Sequence, residues 1–173
     1  MHQRIVIVLS WALVLLTQGI FVHAAESYRV HRVVDGDTII LRSDSSPSDI
    51  IIRLVGIDAP ETSKAKREPG QPYGQAATKH LAALILNKAV TIREYGRDRY
   101  GRVLAVVFLN ATNINLEMVK AGLAEVYQGT PAPGFVNEPY LKAEREAQAA
   151  GREMWVQGDN YVSPRQWRKK HGN

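Results

Sequence analysis

Cysteine is absent from all 173 residues. That absence excludes a disulfide scaffold, a Cys-ligated zinc site, a thiol nucleophile and iron–sulfur chemistry. Internal repeats and low-complexity tracts are also missing. Only one long apolar run occurs, at the N-terminus. What remains is ordinary for a globular chain: 45% hydrophobic and 23% charged, which excludes wholesale disorder. The length suits one domain rather than two. Lys and Arg total 22 against 17 Asp and Glu, a net charge of +5 that suits anionic partners such as nucleic acid.

The apolar run is Ile5 to Val22, preceded by Arg4 and followed by His23-Ala24-Ala25-Glu26. This order is that of a secretory signal peptide, with cleavage after Ala24, or after Ala25 as second choice. The rival reading is a membrane anchor through residues 5–22, but these 18 residues barely span a bilayer. The chain then divides into a signal peptide over 1–24, a folded domain over 25–158 and a basic tail over 159–173. The exported product is secreted or periplasmic, and without cysteine its stability rests on its core.

Tyr28–Val34 and Thr38–Arg42 read as strands around the turn Asp35-Gly36. Residues 43–49 read as a polar turn, and Ile50–Val55 as a dense apolar strand. Tyr73–Asn87 carries apolar residues at helical spacing. Ala89–Tyr95 and Val103–Leu109 read as two more strands. A short helix follows with Asn113 as its N-cap, and Glu138–Ala150 reads as another, capped by Asn137. The pattern describes a compact α+β domain, and five strands with one inserted helix fit a small closed barrel of the OB type.

Several charged groups contradict this apolar pattern. Arg53 interrupts the most apolar strand; an unpaired buried guanidinium is costly, so it must meet either a structural carboxylate partner or an anion. Asp35 and Asp37 flank Gly36, and Asp58 and Glu61 follow Arg53 across Ala59-Pro60. Arg99, Tyr100 and Arg102 crowd a second turn. Singly, each group reads as turn chemistry or solvated surface. Jointly, on neighbouring strands, they make a hard-oxygen site for a divalent cation beside an arginine clamp, an arrangement suited to phosphodiester hydrolysis. Lys64, Lys66 and Arg67, and the tail from Arg165 to Lys170, add positive charge to track phosphates.

Val34-Asp35-Gly36-Asp37-Thr38, Arg53-Leu54-Val55-Gly56-Ile57-Asp58-Ala59-Pro60-Glu61-Thr62 and Asp98-Arg99-Tyr100-Gly101-Arg102 resemble the three signatures of the staphylococcal nuclease (thermonuclease) family, in order and spacing. The stretch Asn115-Leu116 through Gly122-Leu123-Ala124 is also similar, and the likeness covers about residues 28–155. The resemblance implies a five-stranded OB barrel with three helices and a monomeric, Ca²⁺-dependent nuclease. Such an enzyme cuts DNA and RNA to 3′-phosphate and 5′-hydroxyl ends. It further implies that Asp37, Asp58 and the Ala59 carbonyl hold Ca²⁺, with Asp35 behind them. Arg53 and Arg102 would grip the scissile phosphate, and Glu61 would activate or position the attacking water. Tyr100, with Arg99 beside it, would bind a terminal phosphate, and Tyr127 is the base-stacking tyrosine that remains. The different-class alternative is an OB module that binds single strands without cutting them.

Overall fold

The computed structural model describes residues 27–43, 46–63 and 70–171. The signal segment, its cleavage point after Ala24 or Ala25, and Lys64, Lys66 and Arg67 lie outside the described residues.

Five strands form the barrel: β1 (Tyr28–Val33), β2 (Thr38–Ser43), β3 (Ser46–Leu54), β5 (Ala89–Arg97) and β6 (Val103–Leu109). They run antiparallel in the order β3-β2-β1-β5-β6, and a parallel pairing of β3 with β6 closes the sheet on itself. Closure removes the exposed edges that an open sheet would carry. Three short strands supplement it: β4 (Ile57–Asp58), β7 (Thr112–Asn113) and β8 (Glu125–Val126). Strand β3 starts four residues earlier than expected, so Ser46–Asp49 belong to the β2–β3 hairpin ladder rather than to a loop.

The helices are α1 (Gly74–Ile85), α2 (Ile114–Lys120), α3 (Glu138–Ala149), a 3₁₀ segment (Glu153–Asn160) kinked at Gly158, and α4 (Pro164–His171). Among the described residues, five helical elements replace the three expected. The residues expected as a basic tail supply α4, and the 3₁₀ segment precedes it. Asn113 caps α2 through its side chain, which accepts from Leu116 N at 3.1 Å. Asn137 stands at the start of α3 but makes no side-chain cap bond, because its own backbone is already helical.

The core fills the barrel and the seam between barrel and helices. Leu41, Ile52, Leu54 and Val107 pack with Leu81, Ile85, Ile114 and Met118, all fully buried. Each such side chain stabilises the fold by about 1.5–3 kcal/mol. The alternation of β3 sends Ile52 and Leu54 inward and leaves Ile51 and Arg53 on the outer face. That outer face is where the charged residues collect.

Candidate active site

Two turns meet at the closed end of β3. Gly36 makes this possible: a Cβ there would lie 2.6 Å from Ala59 Cβ and 2.7 Å from Ala77 Cβ, so only glycine lets the Asp35–Asp37 turn rest on the Asp58–Glu61 segment and on α1. Asp37 is then locked from both sides. Its Oδ2 accepts from Ala59 N at 2.8 Å, its Oδ1 accepts from the Thr38 hydroxyl, and its main-chain oxygen accepts from Leu54 N. Asp58 is set by β4, which pairs with β8 opposite Glu125. Buried Asn115 holds the approach to β4. It donates to Val55 O and Ala105 O and accepts from Val107 N, each at 3.0 Å.

Arg53 lies between the two aspartates. Nη1 is 2.8 Å from Asp37 Oδ2, and Nη2 is 2.8 Å from Asp58 Oδ1. Nη1 also donates to Ile57 O at 3.0 Å. Asp37 and Asp58 are only 6% and 1% exposed, so these are pairs deep enough to matter. Burial pushes the Asp37 carboxyl up to about 6, against the pull of Arg53. Burial acts on Arg53 in the opposite sense, but Asp37, Asp58 and Asp35 outweigh it and raise the guanidinium above its ordinary value. Asp35 Oδ1 accepts from Asp37 N at 3.1 Å and so shapes the turn.

Glu61 sits at the end of this floor, its side chain 15% exposed. Gln71 fixes its main chain: Gln71 N donates to Glu61 O, and Gln71 Oε1 accepts from Glu61 N. Gly74 lets α1 begin directly against the Glu61 carbonyl, where a Cβ would collide.

The hairpin between β5 and β6 forms the rim. Asp98 Oδ1 accepts from Tyr100 N and Arg102 N, while Oδ2 accepts from Arg102 Nε at 2.7 Å. Against the effect of burial, these donors hold the Asp98 carboxyl below the usual range. Arg102 Cζ lies 5.6 Å from the Tyr100 ring centroid and Arg99 Cζ 4.8 Å, with Arg99 Nη2 donating to the Tyr100 hydroxyl. Tyr100 is 69% exposed.

Floor and rim line one groove of about 790 Å³, with Asp35, Asp37, Arg53, Glu61, Arg99, Tyr100, Arg102 and Tyr127 on its walls. Of the expected site residues within the described regions, Asp58 and Ala59 are buried and not on its walls, tied to it through Arg53 and Asp37, while the others line it. One refinement concerns the arginine pair. Arg53 bonds the aspartates, whereas Arg102 bonds Asp98 and stands apart from them.

Sequence reasoning missed three contributors. Arg168, expected only as part of a tail, reaches both Asp58 and Glu61. Asp98 orients Arg102. Glu125, 1% exposed, accepts from the Tyr161 hydroxyl and keeps Oε1 unpaired; burial pushes its carboxyl up to about 7. A charged residue inside the apolar stretch Leu123-Ala124-Glu125-Val126 was a signal of the same kind as Arg53.

Among the described residues, no three His, Asp or Glu side chains converge as a metal set. The oxygen ligands beside Arg53 are the two carboxylates, Asp37 and Asp58, which accept from Arg53 and, at Asp58, from Arg168 as well. This all-oxygen set fits a weakly held hard cation that keeps several waters, and it suits Ca²⁺ better than a nitrogen- or sulfur-seeking metal.

The fold and site define an α+β protein built on a small closed five-stranded barrel with acids and guanidinium groups in one groove. Residues 51–157 match the family described as Staphylococcal nuclease homologue. An uncharacterised endonuclease of Haemophilus influenzae is 41% identical over 82% of this chain and 72% of its own length. The thermonuclease of Staphylococcus intermedius is 40% identical over 75% and 76%. An uncharacterised endonuclease of Escherichia coli is 38% identical over 82% and 84%. The chain belongs to the staphylococcal nuclease family and is a nuclease.

Proposed function

We propose that this nuclease is an exported, monomeric, Ca²⁺-dependent enzyme that hydrolyses the phosphodiester bonds of DNA and RNA, leaving 3′-phosphate and 5′-hydroxyl ends. The observation that carries the reading is Arg53, largely covered and 2.8 Å from both Asp37 and Asp58, on the floor of the groove that Glu61 and Arg102 also line.

Asp37, Asp58 and the Ala59 carbonyl would hold the cation, with Asp35 bracing Asp37. Bound there, Ca²⁺ supplies Lewis-acid stabilisation of the phosphoryl oxygens. The chain's own groups do the rest. A guanidinium has five N–H donors. Arg53 commits Nη1 and one Nη2–H to the floor, so Nε–H and the second Nη2–H serve the phosphate. Arg102 is anchored through Nε by Asp98, which leaves both Nη groups for phosphate oxygens. Donors aimed in advance at charge that develops in the transition state are each worth roughly 3–4 kcal/mol. Glu61 takes a proton from the attacking water or orients it. Tyr100 and Arg99 hold a terminal phosphate, and Tyr127 stacks on a base. Lys64, Lys66, Arg67 and the exposed basic residues of α4 track the strand.

Export rests on the apolar segment before Ala24. No helix among the described residues is long and apolar enough to cross a membrane. N-terminal sequencing of the released protein tests this point: a start at Ala25 or Glu26 supports export, and an intact N-terminus supports the anchor.

The test of function is incubation with single-stranded DNA and RNA, with Ca²⁺ or with a chelator, followed by end-group analysis. Chelator-sensitive cleavage leaving 3′-phosphates is the expected result. Cleavage that survives the chelator, or that leaves 5′-phosphates, rejects the reading.

A further inference from the structure

Helix α4 is built to dock. Gln166 N donates to Ser163 Oγ at 3.2 Å and Ser163 N donates to Gln166 Oε1 at 3.1 Å, a reciprocal cap at its start. Buried Pro164 occupies its first turn. Gln71, which holds the Glu61 main chain, also donates through Nε2 to Val162 O at 2.7 Å. One buried glutamine therefore ties the entry of α4 to the segment that carries Glu61.

From that start Arg168 reaches into the acids. Nη2 donates to Asp58 Oδ2 at 2.6 Å, and Nη1 donates both to Asp58 Oδ1 at 3.0 Å and to Glu61 Oε1 at 2.7 Å. The neighbouring Arg165, Lys169 and Lys170 stay exposed. A fork on a carboxylate that is 1% exposed is a strong, directional contact, unlike a surface ion pair. Glu61 is a flexible side chain next to a like charge. Among the described residues, Arg168 is the group that holds its carboxylate, and it does so through Oε1.

We infer that Arg168 is a positioning residue of the active site: its guanidinium fixes the Glu61 carboxylate beside Asp58, so that the C-terminal helix completes the nuclease centre. The inference rests on the reading of Glu61 as the group that acts on the attacking water. Arg168 does not use up the acceptors of the two aspartates. Asp58 Oδ2 accepts one N–H and Asp37 Oδ1 one hydroxyl, and each oxygen has a second lone pair. The family match covers residues 51–157, and α4 lies beyond it.

The test is a double-mutant cycle of Arg168→Ala and Glu61→Gln with saturating Ca²⁺ and single-stranded DNA. Thermal stability and Ca²⁺ binding by calorimetry are read alongside. Arg168→Ala should lower kcat roughly 10- to 100-fold while KM changes by no more than about threefold. Added ethylguanidinium should restore part of the loss. In the Glu61→Gln background the same change should cost almost nothing, because Arg168 acts through Glu61. Equal losses in both backgrounds, or a loss that tracks melting temperature and resists ethylguanidinium, would overturn the inference. So would faster turnover with tighter Ca²⁺ binding, which would make Arg168 a competitor of the cation. Near-normal turnover of Glu61→Gln alone would sink the role of Glu61 itself, and the inference with it.

Discussion

The floor of the groove and its rim carry the same chemistry, acids paired with arginines, but they are held in opposite ways. Floor contacts join residues far apart in sequence: Asp37 to Ala59, Asp58 to Arg168, Glu61 to Arg168. Rim contacts join Asp98, Arg99, Tyr100 and Arg102, all within four residues. The floor cannot shift without disturbing the barrel, whereas the rim can adjust locally around a substrate. In the proposed reaction, Arg53 and Glu61 act on the reacting phosphate from the floor, Arg102 joins them from the rim through its anchor on Asp98, and capture of a variable strand falls to Arg99 and Tyr100.

The largest contrast should come from removing one arginine from each region. Arg53→Ala leaves Asp37 and Asp58 buried without their shared partner and should cost about 3–5 kcal/mol of stability. Arg99→Ala on the rim should change stability by less than about 0.5 kcal/mol. Urea unfolding of both variants measures the difference, and similar costs would erase the distinction between the regions. Next, Glu61→Gln should lower kcat by about 10²–10⁴ with KM nearly unchanged. Tyr100→Phe should act mainly on KM and by less than about tenfold, and steady-state kinetics on one oligonucleotide compares them.

Titration offers a third contrast. Burial raises Glu125 from 4.5 to about 7, so its folded form binds a proton more tightly than its unfolded form. The resulting destabilisation is fully present above pH 7 and fades as pH falls towards 4.5. Glu125→Gln should therefore stabilise the protein by about 3 kcal/mol at pH 8 and by less than about 1 kcal/mol at pH 5, read from urea unfolding at both values. Asp98 has the opposite sign. Its lowered carboxyl stabilises the fold at neutral pH and loses that effect in acid. Asp98→Ala should cost only about 1 kcal/mol at pH 7, and less as the pH falls below 4. A larger cost would mean that the rim is not merely local.

This division also explains what was legible in the sequence. On the rim, Arg99, Tyr100 and Arg102 could be read directly, because they are adjacent in one turn, but the hold of Asp98 on Arg102 could not. The strands were legible from β-branched runs, and Arg53 was conspicuous as a charge in an apolar one. Its partners could be named only as candidates, since pairing depends on how β3 meets the Asp35–Asp37 turn. Arg168 lies 110 residues from Asp58, in a segment whose composition reads as solvated basic tail. Its role depends on the cap at Ser163 and the tether through Gln71, and neither projects a periodic signal. Glu125 and Asn115 were hidden in the same way: each is a polar residue whose meaning lies in partners across the fold.

The most direct measurement is single-turnover cleavage of end-labelled single-stranded DNA by Asp58→Asn, with enzyme and Ca²⁺ in excess and melting temperature recorded in parallel. The variant keeps the shape of the floor and removes the charge that faces both Arg53 and Arg168. If the buried acid–arginine floor breaks the phosphodiester bond, the cleavage rate should fall on the order of 10³-fold while the strand still binds. A folded variant that cuts within about tenfold of the parent rate would place the chemistry elsewhere in the groove.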